Sequence, residues 1–462
     1  MSRKTEADVL YPVRRPTGTG TSGKSWRHIL LDTVARNEKW LVGGLLVGAV
    51  LIRALWCQFR STSGAAGEAA RVAAAIGDGR GFADAYRIGQ GATAHLTPVS
   101  PGIAGLVYRL FGNPSSLSEA LLFCWAIGLI IATFYLLYQT FTRLGVSIWG
   151  RLAALAFCCF APTYFGQEAV DFRVWDGGIS IFLSAWMLRV MVEAECDGGI
   201  SVRSASLLTL VGALLFFTNS PVGVAYLACA AVLFLRRLPL RLWPVPVMVG
   251  AITLALLVTP WAMRNQRMLG QPVLLRSNAG LELAIGLYPG QLHASDRGAE
   301  FMARLNDIHP ALGPVPYHKM QAAGGEVAYA HALGAQTMAW ARNHPIEVAK
   351  LMALHVRQTI APQPWQFAAF GSGGFTTGRA FLTQVAGIAG MLGLILALVR
   401  RRRGWWLPAL ALMLLLVLAA PFQPVKRYTY LVYPLFVFAA GSLIDVRRSP
   451  GLRKKMTREV AA

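Results

Sequence analysis

"VTPWAMRNQRMLGQPVLLRSNAGLELAIG", Val258–Gly286, begins as the end of an apolar run and turns abruptly into Trp261, Arg264, Asn265 and Arg267, then into a polar excursion around Asn278. Tryptophan at such a border is the residue that settles at a membrane–water interface. Arg264 follows it by about one helical turn, which places its guanidinium at the depth of lipid phosphates. The stretch therefore marks a point where a spanning helix leaves the membrane and a long polar segment begins.

The rest of the chain agrees. Its 462 residues are 55% hydrophobic and 14% charged, against roughly 25% charge in an average soluble domain, and its mean hydropathy is +0.47. This is the composition of an integral membrane protein. Apolar runs predict spans near 40–58, 119–141, 151–166, 177–193, 205–218, 222–235, 243–261, 379–399, 405–421 and 429–445. Several are shorter than the ~20 residues a perpendicular helix needs, so their boundaries are soft. The basic N-terminal tail lacks a short apolar core before Trp40, so the first run is expected to be a retained helix rather than a removable signal. Five of the six cysteines sit in apolar runs and Cys196 in a polar turn, which implies no disulfide framework.

A net charge of +22 suggests nucleic acid in a soluble protein, but here position decides its meaning. With the N-terminus in the cytoplasm, the loops expected inside carry Arg143 and Arg151, Arg189 and Arg203, Arg236, Arg237 and Arg241, and Arg400 to Arg403. This is the positive-inside pattern, and nucleic acid is not an expected partner. The expected organisation is a cytoplasmic basic tail at 1–39 and an N-terminal transmembrane module at 40–261 with a first outward loop at about 60–118. An outward domain follows at 262–378, then C-terminal spans at 379–445 and a second cytoplasmic basic tail at 446–462, both termini being inside.

The two long outward segments hold most of the histidines and the informative acids. A helix is expected from Glu68 to Ile76, stopped by Gly77, Gly79 and Gly81, with Val72 and Ile76 as an apolar edge that could lie on the membrane surface. Thr97 to Gly112 reads as a second short helix. Glu326 to Pro362 reads as a nearly continuous helix broken at Arg342–Pro345.

Five stretches, in order, carry a resemblance: "GEAARVAAAIGDGRGF" (67–82), "TAHLTPVSPGIAGLVYRLFG" (93–112), "PWAMRNQRMLGQPVLLRSNAGLELAIG" (260–286), "ARNHPIEVAK" (341–350) and "KRYTYLVYPL" (426–435). Together they resemble the GT-C membrane glycosyltransferases, notably lipid A aminoarabinose transferases, protein O-mannosyltransferases and rhizobial lipopolysaccharide sugar transferases, over about residues 40–445. The resemblance implies an all-α polytopic bundle of about ten or more transmembrane helices, with two large outward-facing loops containing short helices. It also implies an inverting transfer, without an obligatory metal or other cofactor, from a polyprenyl-phosphate-linked sugar to a glycan, lipid or protein acceptor, at the outer face of a bacterial inner membrane. A lipid-linked sugar transporter or a non-catalytic envelope-assembly protein on the same scaffold is the alternative.

The chemistry names its own requirements. Glycosyl transfer to a hydroxyl needs a carboxylate near the membrane surface to receive the acceptor proton, and cations or N–H groups to stabilise the departing phosphate. In the resemblance, Glu68 matches a first-loop Glu, while Ala65 stands where the family places an Asp. Either Glu68 has taken over the base role, or the correspondence slips, or the chain does not catalyse. Glu68 can also be read as an acid favoured at a helix start. The cluster Glu168, Asp171, Arg173 and Asp176 occupies one short outward turn, and Asp176 matches the family's acid at the start of the next helix, where an N-cap is the simpler role. The catalytic candidates are thus Glu68 and Asp176. Arg264, Arg427 and Lys426 are the donor-phosphate candidates, with both arginines converging on one phosphate. His95, Asp171, Arg173, Asn278, Glu282 and Tyr428 are possible pocket residues. The histidines lack close ligand spacing, so no metal site is expected.

Overall fold

The computed structural model describes residues 33–59, 67–369 and 374–444. The basic tails with Arg14, Arg15, Arg27, Arg447, Arg448, Lys454 and Lys455, together with Ala65, lie outside the described residues. Residues Met1–Gly43 separate from Gly44–Ala462 as compact units. Of the first unit, only the start of the first helix is described, where the Asn37 side chain donates to the Thr33 carbonyl.

Among the described residues all regular structure is helical apart from one isolated antiparallel bridge, Ala83 to Ala92. Six helices among the described residues are long and apolar enough to cross a membrane: Glu38–Gln58, Ser116–Arg143, Gly177–Asp197, Ser220–Arg237, Leu240–Leu269 and Thr376–Val399. Ile148–Phe160 and Phe165–Arg173 form a seventh candidate, bent by 70°. Three of the expected spans therefore differ in kind. The run at 205–218 is the 17-residue helix Val202–Thr218 and that at 405–421 is the 14-residue helix Trp406–Ala419. The run at 429–445 is divided between Lys426–Thr429 and Tyr433–Gly441.

The bend in the third apolar run has a local cause. Pro162 follows Phe160 closely and cannot donate a backbone hydrogen bond to Cys158. Arg53 takes up the carbonyls this frees, donating to Cys158 O at 3.1 Å and Cys159 O at 2.9 Å. The same guanidinium lies 2.6 Å from Glu168 Oε2, and both side chains are essentially inaccessible, at 0% and 2%. Glu168 also accepts from the Tyr430 hydroxyl at 2.7 Å. A mid-span charge thus fastens the first span, the bent pair and the C-terminal segment together.

The first-loop helix is Glu68–Gly77, followed by Gly79 and Gly81 at φ +83° and +76°. Its apolar edge does not face lipid. Ala69, Val72 and Ala73 are buried with Leu96, Ala104, Tyr108 and Val174. The approach is close because Gly105, on the helix Val99–Phe111, has no Cβ, which would lie 2.5 Å from Ile76. In the second loop, Ala279–Gly286 packs on Glu326–Asn343 through Gly280, where a Cβ would collide with the Ala330 carbonyl. The expected break falls at His344, and a new helix runs Pro345–Ile360.

Candidate active site

The two loops are joined by one carboxylate. Glu326, nine-tenths buried at the start of its helix, accepts from Ala94 N at 2.6 Å, Thr93 Oγ1 at 2.6 Å, Ser277 Oγ at 3.0 Å and Gln90 Nε2 at 3.2 Å. Burial pushes this carboxyl up while those donors hold it back. The lock fixes the backbone immediately before His95, whose Nδ1 is 2.8 Å from the Tyr86 hydroxyl.

Next to it lies a cavity of about 260 Å³. Glu68, Asp171, Glu282, Lys426, Arg427 and Tyr428 all line it, so the structure brings together six of the residues singled out from sequence. Glu68 lies 3.6 Å from His309 Nε2, with His95 close by. Burial alone raises the Glu68 carboxyl, but His309, His95 and Arg427 outweigh it and hold it at about 2. Burial pushes both imidazoles down, His95 to about 3, so both rings are neutral near pH 7. Arg427 has the opposite bias. Despite burial, the Tyr428, Glu282 and Glu68 side chains keep its guanidinium firmly protonated. It lies over the Trp175 ring at 4.4 Å and 3.9 Å from Glu282, and its Nε has no hydrogen-bond partner among the described residues.

Glu68, His95 and His309 can each bring one ligand atom within 4.8 Å of the others, the separation expected around a cation. The hydrogen bonding argues for another role. The Ala311 N–H donates to His309 Nδ1 at 3.2 Å, so the neutral ring carries its proton on Nε2, the atom facing Glu68. That face offers an N–H rather than a lone pair. The trio fits a carboxylate held by donors better than a metal ligand set.

Other expected site residues lie elsewhere. Arg264 lines a second cavity with Arg80 and Asp84. Its guanidinium donates to the carbonyls of Thr93, at 2.7 Å, and Phe82, and lies 5.2 Å from the Trp261 ring. It staples the first loop, and the structure does not bring it to Arg427. Arg173 is taken by Glu119 at 2.6 Å and by the Ala169 carbonyl. Asp176 precedes its helix without capping it. Instead it accepts from Arg276 at 2.7 Å and Asn219 at 3.1 Å. Asn278 donates to Glu282 at 3.2 Å, orienting a lining carboxylate from behind. Sequence reasoning missed His309, Arg71, Gln167 and Gln423, which line the cavity, and the Glu326 lock.

No protein-family model and no curated protein matches the chain. Among solved structures, the Archaeoglobus fulgidus oligosaccharyltransferase in its apo form aligns with TM-score 0.50 and 13% identity over 91% of this chain and 52% of that one. The archaeal oligosaccharyltransferase AglB from Archaeoglobus fulgidus, in complex with an inhibitory peptide and a dolichol-phosphate, aligns with TM-score 0.49 and 15% identity over 92% and 52%. ArnT from Cupriavidus metallidurans, bound to undecaprenyl phosphate, aligns with TM-score 0.35 and 14% identity over 88% and 78%. The chain spans about half the length of the oligosaccharyltransferases. The likeness to the apo enzyme is one of fold, and the chain has the GT-C membrane glycosyltransferase fold.

Proposed function

We propose that the protein is an inverting glycosyltransferase that moves a hexosyl or pentosyl group from a polyprenyl phosphate to a hydroxyl of an envelope glycolipid, polysaccharide or protein. It would act at the outer face of a bacterial inner membrane. The observation that carries this reading is one cavity holding an ionised carboxylate, Glu68, and a guanidinium, Arg427, whose Nε has no partner among the described residues. Lys426 lines the same space. The apolar membrane-length helices and the likeness of fold to an oligosaccharyltransferase support it.

In this reading Arg427 and Lys426 hold the phosphate and take up the charge that develops as the sugar–oxygen bond breaks. Glu68 orients the acceptor hydroxyl on the opposite side. A carboxylate held near 2 is a weak base towards an alcohol. It is adequate once the new bond to the anomeric carbon has begun to form, because the attacking oxygen is then strongly acidic. Asp176, joined to Arg276, serves as a charge-balancing carboxylate behind the cavity.

The phosphate assignment separates two arginines. Arg427→Ala is expected to weaken undecaprenyl-phosphate binding to the purified protein by about ten- to a hundredfold, the scale of hydrogen bonds to a charged partner. Arg427→Lys should restore part of this, as a point charge lacks the two-pronged contact. Arg264→Ala should instead lower thermal stability by about 1–3 kcal/mol, since it strips donors from the Thr93 and Phe82 carbonyls. The double change should then show the sum of the two effects. Unaltered carrier binding after Arg427→Ala would remove the phosphate site from this cavity.

A further inference from the structure

Part of the cavity lining comes from two distant segments, the bent turn bearing Gln167 and Asp171 and the C-terminal segment bearing Gln423 and Lys426. Gln167 and Gln423 are each 3% exposed, and among the described residues the Oε1 of neither is in hydrogen-bonding geometry with a donor, although that of Gln423 stands beside the His355 ring. Gln423 is held by its other amide atom, Nε2, which donates to Gln358 Oε1 at 3.1 Å, so its carbonyl oxygen is the end left over. Asp171 and Lys426 act on each other electrostatically, but they are not among the ion pairs and hydrogen bonds formed between the described residues. Leaving buried acceptors unpaired costs stability, and a carboxylate and an ammonium kept apart in a low-dielectric site leave room for something between them.

Resting on the glycosyltransferase reading above, we infer that Asp171, Lys426, Gln167 and Gln423 form the sugar subsite of the donor, and that it takes a neutral, hydroxyl-rich sugar. A hydroxyl both donates and accepts. One hydroxyl can donate to Asp171 while accepting from Lys426, and its neighbours on the ring can donate to the two amide oxygens. Asp171 and the two amide oxygens are acceptors; of the cations that act on Asp171, Arg427 is given to the phosphate and Arg379 donates to the Thr163 carbonyl, so beside Lys426 the site asks its ligand chiefly for O–H donors. A uronate would set its carboxylate against Asp171 and both amide oxygens. An amino sugar would bring a second ammonium to a carboxylate that Lys426 already balances. Lys426 has three N–H donors, enough to serve the sugar and the adjacent phosphate together.

The test uses the full-length protein in lipid nanodiscs. Its probes are undecaprenyl phosphate alone and the same carrier bearing glucose, 4-aminoarabinose or glucuronic acid. The glucosyl carrier is expected to bind about tenfold tighter than the bare carrier and than either charged-sugar carrier. Asp171→Asn, which keeps the shape and removes the charge, should bring the glucosyl carrier close to the bare one, and Gln167→Met should reduce the difference. Equal binding of glucosyl and bare carriers to the wild-type protein overturns the subsite while leaving the carrier reading intact. A charged sugar bound as tightly as glucose overturns the neutral assignment. Failure of every carrier to bind overturns both readings.

Discussion

Glu68→Gln lowers sugar transfer by ~10²-fold or more, the scale on which removal of a positioned general base is felt, while the protein still inserts and still binds the carrier. The substitution keeps the size of the side chain and the helix start at Glu68 but removes the charge that faces His309 and Arg427. The pH dependence carries an independent signature. Because its folded-state carboxyl is lowered to about 2, Glu68 stays ionised as pH falls through the ordinary value of 4.5, and the stability gained from that charge, complete above 4.5, is lost progressively as pH falls from there to about 2. Wild-type activity should therefore show no acid limb from Glu68 between pH 4 and 5. Radiolabelled transfer in proteoliposomes measures both. Full activity of Glu68→Gln would remove the base role from Glu68.

The second large effect is structural. Arg53→Leu and Glu168→Leu should each destabilise the protein by about 3–5 kcal/mol, because each leaves the opposite charge buried without its partner. Arg53→Leu does further damage, as it also abandons the carbonyls of Cys158 and Cys159 at the bend. The double Leu variant should recover part of the loss, since a buried ion pair replaced by apolar groups is often close to neutral. Thermal unfolding in detergent, followed by tryptophan fluorescence, compares the three. A double variant as unstable as the sum of the singles would show that the two charges act independently.

The membrane character and the helical fold were legible because they rest on properties summed over long windows. Val258–Gly286 shows the limit of that legibility. The exit of the helix near Trp261 was readable, but the partner of Arg264 was not. Headgroup depth and proximity to the Thr93 carbonyl look the same in one dimension. Lys426 and Arg427 could be found because each is a charge beside an apolar run, and Glu68 because it matches the first-loop acid of the resemblance. His309 carries no such mark, since it lies in no ligand spacing and on no periodic face. Its place beside Glu68 comes from the path of the second loop over the first. Gln167 and Gln423 were hidden for a related reason, as only a packed interior shows that an amide oxygen has been left without a donor.

The Glu326 lock has a consequence for when the protein becomes competent. Ribosomes make the chain from its N-terminus, so Ala94 emerges 232 residues before the carboxylate that accepts its N–H. Through that interval, the turn that carries His95 lacks the bonds that hold it in place. The cavity then waits about a hundred residues more for Lys426 and Arg427. A nascent chain still engaged with the insertion machinery therefore lacks both the fixed first loop and the cations of the cavity, and its final helices are the last parts needed before the site is whole.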